Sequence, residues 1–226
     1  MRYFSSGQTR TRVEGTALRC GWTPTPRSGR TWSCRASSPT RRPGPPAVRT
    51  VRPQKPPTPS FEDLLDSAQR HALHLELRDV YAVGEERDAY DAFLRDGSVP
   101  ADDSRFWGGW LPLVVRTVAC GVKVRRARVV SEPVTDYIRF EHAITDANLR
   151  AGEQVRWLPR HRASALTLPG NDFWLIDDHL VRFNAFSGDG QALEPDHTED
   201  LQAIKLCAEA FRSVWDLATD HADYRI

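Results

Sequence analysis

Cysteine is scarce in this chain of 226 residues: Cys20, Cys34, Cys120 and Cys207 are the four. None forms a C-x-x-C pair and no histidine stands at zinc-finger spacing from them, which excludes a cysteine-based structural metal site. Cys120 and Cys207 lie among apolar residues at helical spacings and read as reduced core residues. No apolar run reaches the length of a membrane span, and no signal-peptide core follows Met1. The expectation is a cytoplasmic protein that does not enter a membrane. Gly-x-Gly-x-x-Gly and P-loop patterns are absent, so no nucleotide cofactor is implied. Ser131 is not in a Gly-x-Ser-x-Gly elbow, and His142, His161, His179 and His197 show no i,i+4 ligand spacing. No catalytic residue and no metal-binding set is therefore named.

What is present is unevenly spread. The formal charge of +1 hides a first 60 residues with 12 Lys or Arg against one acid, Glu14. The remainder carries 19 basic and 29 acidic residues, a net of −10. Ten of the 16 prolines also fall in the first 60 residues. Runs such as Arg41-Arg-Pro-Gly-Pro-Pro46 can form neither helix nor interior strand. Residues 1–59 are expected to be a disordered basic tail. Two readings fit it: an arm attracted to nucleic acid or an acidic surface, or an extension without a selected role. Any contact with nucleic acid would be through this tail alone.

Residues 60–226 read as one α/β (α+β) domain, a mixed β-sheet flanked by helices. Its centre is Gly121 to Glu141. Val122 and Val124 alternate with Lys123 and Arg125, the period of a half-buried strand. Pro133 suits the first position of a helix carrying Val134, Tyr137, Phe140 and Ile144 on one side. Upstream, Ser60 and Asp63 make a capping-box start, and Leu73, Leu75 and Leu77 alternate with polar residues as a strand. Helices are expected from Glu85 to Leu94 and from Asp102 to Cys120, the second broken near Gly108, Gly109 and Pro112. Further strands are expected at 152–158, 171–178 and 180–186, with a third hairpin strand at 191–194 beyond Gly188-Asp-Gly190. The last helix is expected to start at Asp196, with a stripe of Leu201, Ile204, Ala208, Phe211, Trp215 and Ala218 that reads as core.

Arg125, Arg128, Arg139, Arg156 and Arg160 are candidates to share one cleft with Glu132, Asp136, Asp177 and Asp178. That would be an anion pocket using bidentate guanidinium contacts; the competing arrangement is a lattice of structural ion pairs at strand ends. Asp172, Asp177 and Asp178 could hold a divalent cation, but Asp-Asp before a hairpin more often makes turn hydrogen bonds.

The element order resembles half of a phospholipase D-like fold, whose Asp-ended strand carries His-x-Lys-x4-Asp. Alignment on Asp177 puts Gly170 and Asp172 at the His and Lys positions; alignment on Asp178 puts Asn171 and Phe173 there. Neither register supplies a nucleophile, so phosphodiesterase chemistry is not inherited. A second resemblance covers residues 60–226. The segments Arg126 to Pro133, Asp136 to Phe140 and Asp172 to Asp178 resemble an uncharacterised actinobacterial family with Arg-x-Arg-Val-Val-Ser-Glu-Pro and Asp-Phe-Trp-Leu-x-Asp-Asp motifs. That resemblance implies a domain of unknown function whose genes accompany helix-turn-helix regulators. The expected function is a non-enzymatic regulatory or protein-interaction domain with a DNA-binding regulator as partner. A hydrolase with an atypical Asp/Arg site and a small-anion sensor are the alternatives. Convergent polar groups in a deep pocket would favour those two, and a flat apolar patch would favour a partner surface.

Overall fold

Helix α1 (Phe61–Ser67) starts where the capping box was expected: the Asp63 N–H donates to Ser60 Oγ and the Ser60 N–H to the Asp63 carboxylate, both at 3.1 Å. The computed structural model describes residues 59–81 and 84–226. The disorder expected for residues 1–59 falls, apart from Pro59, outside the described residues. Strand β1 (His71–Glu76) follows, then a 3₁₀ turn into α2 (Arg87–Asp96), closed by Gly97 at φ 78°. The expected break before the next helix is present. A single 3₁₀ turn at Arg105–Trp107 meets Gly108 and Gly109, both at positive φ, and α3 (Trp110–Ala119) starts beyond them. Pro112 sits in the first turn of α3, where a missing N–H costs little.

Strand β2 (Lys123–Val130), α4 (Asp136–Ala151) and β3 (Gln154–Pro159) form the central β-α-β unit. Pro133 is not the first helical residue: the Glu132–Pro133 peptide is cis, and α4 starts under Thr135, whose hydroxyl accepts the Ile138 N–H at 3.1 Å. Strands β4 (Asp172–Ile176) and β5 (Leu180–Asn184) form a hairpin, followed by β6 (Asp196–Thr198), α5 (Leu201–Leu217) and β7 (Thr219–Asp220). The strand expected at 191–194 reduces to one bridge, Phe186 with Ala192. Asp196 belongs to β6 instead of a helix, because Asp200 is the cap: its carboxylate accepts the N–H groups of Gln202 and Ala203 at 3.0 and 2.9 Å.

The sheet is mixed, with order β6-β5-β4-β1-β2-β3-β7. β1, β2 and β3 run parallel; β4 is antiparallel to β1, and β7 to β3. Alternation along each strand gives the two faces different chemistry. One face carries Leu75, Ala127, Val129, Leu158, Phe173, Leu175 and Val181, packed under the Ile204, Cys207, Phe211 and Val214 stripe of α5. Each of the Val, Leu, Ile and Phe side chains contributes roughly 1.5–3 kcal/mol through burial. Leu201, expected in that stripe, is 77% exposed one turn from the core. Cys120 is exposed where a core position was expected, because it caps the end of α3. The other face packs against α1, α3 and α4 through Ala72, Val124, Val130, Val155, Trp157, Trp174 and Ile176. This second face is not uniformly apolar. Its polar positions make the site.

Candidate functional site

Register brings the polar residues into two rows. Arg182 on β5 pairs with Trp174 on β4, Trp174 with His74 on β1, and His74 with Arg126 on β2. In the neighbouring row Asn184 pairs with Asp172, and Glu76 with Arg128. These rows floor a cleft of about 510 Å³. Its walls are aromatic: Phe61, Phe106, Trp107, Trp110, Tyr137 and Phe186 all line it. Phe61, Trp110 and Trp174 form a cluster with ring centroids 4.9–5.8 Å apart. His74 lies flat on Trp174 at 4.2 Å.

The floor is held by a buried charge network. Arg126 reaches Glu153 through Nε at 2.8 Å and Glu76 through Nη1 at 2.6 Å. Arg128 reaches the same Glu76 at 2.7 Å and also pairs with Glu141 on α4. Burying charges is tolerable only when each is matched in this way. His74 is held well below its ordinary pKa, first by burial and then by the nearby arginines. It therefore remains neutral.

Two carboxyl groups in the cleft are displaced the other way. Burial pushes Asp172 up to about 6, although Tyr81 Oη donates to it at 2.5 Å and the Leu77 N–H at 2.8 Å. Burial and then the charge of Glu141 push Glu86 up to about 7. Tyr137 Oη lies 2.8 Å from Glu86 and 2.9 Å from Glu141. One hydroxyl proton cannot serve two carboxylates at once, so Glu86 and Glu141 compete for the Tyr137 hydroxyl. Glu86, Tyr137 and Glu141 thus form a short proton-sharing chain along one wall.

The candidate residues read from the sequence are scattered, and the single arginine cleft is corrected. Arg128 and Asp172 line the cleft. Arg125 and Arg156 alternate onto the α5 face, their guanidinium groups 5.1 and 4.5 Å from the Trp215 ring centre. Arg139 is exposed on α4, 3.8 Å from Asp136. Arg160 staples the ends of the parallel strands, donating to the carbonyls of Leu77 and Val129 and to Ser131 Oγ. Glu132 accepts from Tyr224 Oη at 2.9 Å.

Asp177 and Asp178 occupy the β4–β5 turn at positive φ, at the opposite end of β4 from Asp172, so the three carboxylates do not converge. The turn reading is the one the geometry matches, in an extended form. Asp177 accepts the N–H groups of Gln69, Arg70 and His71 at 2.7–2.8 Å and clamps the start of β1. Among the described residues no group of three His, Cys, Asp or Glu side chains has the arrangement of a metal site.

The residues missed were His74, Glu76, Arg126, Trp174 as part of the floor, Arg182, Tyr81, Glu86 and Glu141. For the strand residues His74, Glu76, Arg126 and Arg182 the signal was present: polar residues at i,i+2 on strands that are interior to the sheet. Read strand by strand, that alternation looks like a solvent-facing side.

Residues 59–226 match the family model described as Domain of unknown function (DUF6879). The chain belongs to that family. No protein of curated function matches the chain in sequence. Among solved structures, the DUF6879 domain is similar to an archaeal chromatin protein, TrmBL2, described by its novel mode of DNA binding, at 14% identity and a TM-score of 0.38. That match covers 70% of this chain and 48% of the other, so the chain spans about half the length of that protein. It is also similar to Nuc, a phospholipase D family member from Salmonella typhimurium, at 12% identity and a TM-score of 0.39, over 73% and 88% of the two chains. NucT from Helicobacter pylori gives 12% and 0.39, over 70% and 87%. These likenesses are at the level of a distant fold and bring no chemistry to the DUF6879 domain.

Proposed function

We propose that the DUF6879 domain is a non-enzymatic regulatory module that binds a small molecule in the cleft and acts with a helix-turn-helix transcriptional regulator. We further place it in the cytoplasm of an actinobacterium. One observation carries the ligand-binding part: a concave site of about 510 Å³ with aromatic walls and convergent polar side chains on a rigid sheet. Small-molecule sites have that volume range and that mixture of apolar lining with a few placed polar groups. The partner rests on the sequence resemblance. The compartment is supported by the absence, among the described residues, of any helix long and apolar enough to cross a membrane.

The second reading is acid–base catalysis. Its support is the pair Asp172 and Glu86, pushed to about 6 and about 7, since displaced carboxyl groups in a cleft suit proton transfer near neutrality. The test uses the full chain, incubated with a small-molecule extract of its host and recovered by rapid gel filtration, the retained compounds being identified by mass spectrometry. A compound retained by wild type and lost in Trp174→Leu supports the proposal. Conversion of that compound into a product selects the catalytic reading. Retention of nothing overturns both.

A further inference from the structure

Three arginines face the cleft, and they are not equivalent. Arg126 and Arg128 each engage two carboxylates and have little capacity left for a ligand. Arg182 is half-buried on the cleft floor, and its Nε is buried without a hydrogen-bond partner. No ion pair ties it to a carboxylate among the described residues; Glu194 acts on it only as a more distant charge. Its guanidinium lies 5.1 Å from the Phe61 ring centre, and its cross-strand neighbour is Trp174. Beside it His74 is neutral, and His74 Nδ1, 3.3 Å from Glu76, has no hydrogen-bond partner in that geometry.

The polar groups of the floor thus include a planar cationic fork with an unpartnered Nε, set beside aromatic rings. A guanidinium fork matches the two oxygens of a carboxylate, and flat rings match flat ligands. We infer that the ligand is a small planar carboxylic acid, its carboxylate on Arg182 and its ring against Phe61, Trp174 and Phe186.

This inference rests on the ligand-binding reading and narrows it. The acidic residues do not forbid an anion. Glu76, Glu141 and Glu153 are each paired with Arg126 or Arg128, and Asp172 is held by Tyr81 and the Leu77 N–H. Asn184, cross-strand from Asp172, supplies a neutral amide on the same face as Arg182.

The test is calorimetric titration of the full chain with four probes: benzoate, its neutral isostere benzamide, benzylamine and inorganic phosphate. Benzoate is expected to bind about tenfold or more tightly than benzamide, the ordinary margin of a charge-assisted pair. Arg182→Gln should bring benzoate down to the benzamide level and leave benzamide unchanged, with Arg182→Lys in between because a point charge replaces the fork. Equal benzoate affinity in wild type and Arg182→Gln overturns the assignment, as does a preference for benzylamine. Tightest binding of phosphate overturns the planar ligand and leaves an inorganic-anion site. A host compound retained by Arg182→Gln as well as by wild type sinks this inference alone, whereas retention of nothing by wild type sinks the ligand-binding reading beneath it.

Discussion

Arg126→Met is the sharpest perturbation available, because the methionine keeps most of the stem and removes only the guanidinium. The Arg126 side chain is 13% exposed, and its partners Glu153 and Glu76 are 0% and 11% exposed. The change would leave Glu76, Glu141 and Glu153 facing a single remaining cation, Arg128. Breaking a buried pair from one side costs about 3–5 kcal/mol, since the orphaned charge keeps its desolvation penalty without its partner. A domain of this size has about 5–15 kcal/mol in total, so the variant should fold with its margin sharply reduced. Urea titration followed by tryptophan fluorescence measures the loss directly. A second signature comes from pH. An orphaned buried carboxyl group has a folded pKa above its unfolded value of about 4.3, so the folded state holds the proton more tightly. The deficit should therefore be largest near pH 8 and shrink as the pH falls toward 5. Adding Glu153→Gln removes one orphan and should recover part of the loss, a coupling that distant sites do not show. A loss below about 1 kcal/mol, or a deficit indifferent to pH, would refute the claim that this network is buried and interdependent.

Trp174→Ala should cost about 3–5 kcal/mol by urea titration, because the ring is 4% exposed and touches Phe61, Trp110 and His74; a loss under about 1 kcal/mol would place β4 at an edge. Glu86, with a folded pKa raised from 4.5 to about 7, makes wild-type stability fall as pH rises through that window. The slope is up to ~1.4 kcal/mol per pH unit. Glu86→Gln should flatten that stretch of the curve, and an unchanged slope would assign the proton elsewhere. Gly152→Ala should cost about 1–3 kcal/mol in a thermal melt, since an added Cβ at φ +100° would sit 3.0 Å from Val118 Cγ1; a neutral result would show that α4 and α3 can separate.

Much of the fold was legible because local rules and tertiary packing agree there. Ser60 with Asp63, the alternation of Leu73 and Leu75, and the Gly108-Gly109 break each act within a few residues. Errors arose where a local rule met a stronger neighbour. Pro133 can start a helix, but Thr135 offers a side-chain oxygen that it lacks. Asp196 can cap a helix, but Asp200 caps this one with two bonds. The site was less legible than the fold. Pooling Arg125, Arg128, Arg139, Arg156 and Arg160 ignored that strand alternation sends Arg125 and Arg128 to opposite faces. His74, Glu76, Arg126 and Arg182 meet only because β1 lies between β4 and β2, and that order depends on pairings about 50 to 100 residues apart, beyond any local pattern.

The position of β1 also has a consequence for synthesis. The ribosome makes this strand first, yet its two sheet neighbours are β2, which starts at Lys123, and β4, which ends at Ile176. Until Asp177 emerges, the amides of Gln69, Arg70 and His71 lack the carboxylate that fixes them. The emerging chain therefore carries a central strand with at least one bare edge while about a hundred further residues are translated, several seconds at ordinary rates. Bare edges recruit other strands. Slower translation or crowded nascent chains should raise the insoluble fraction of this protein more than that of a domain whose first strand lies at the margin of its sheet.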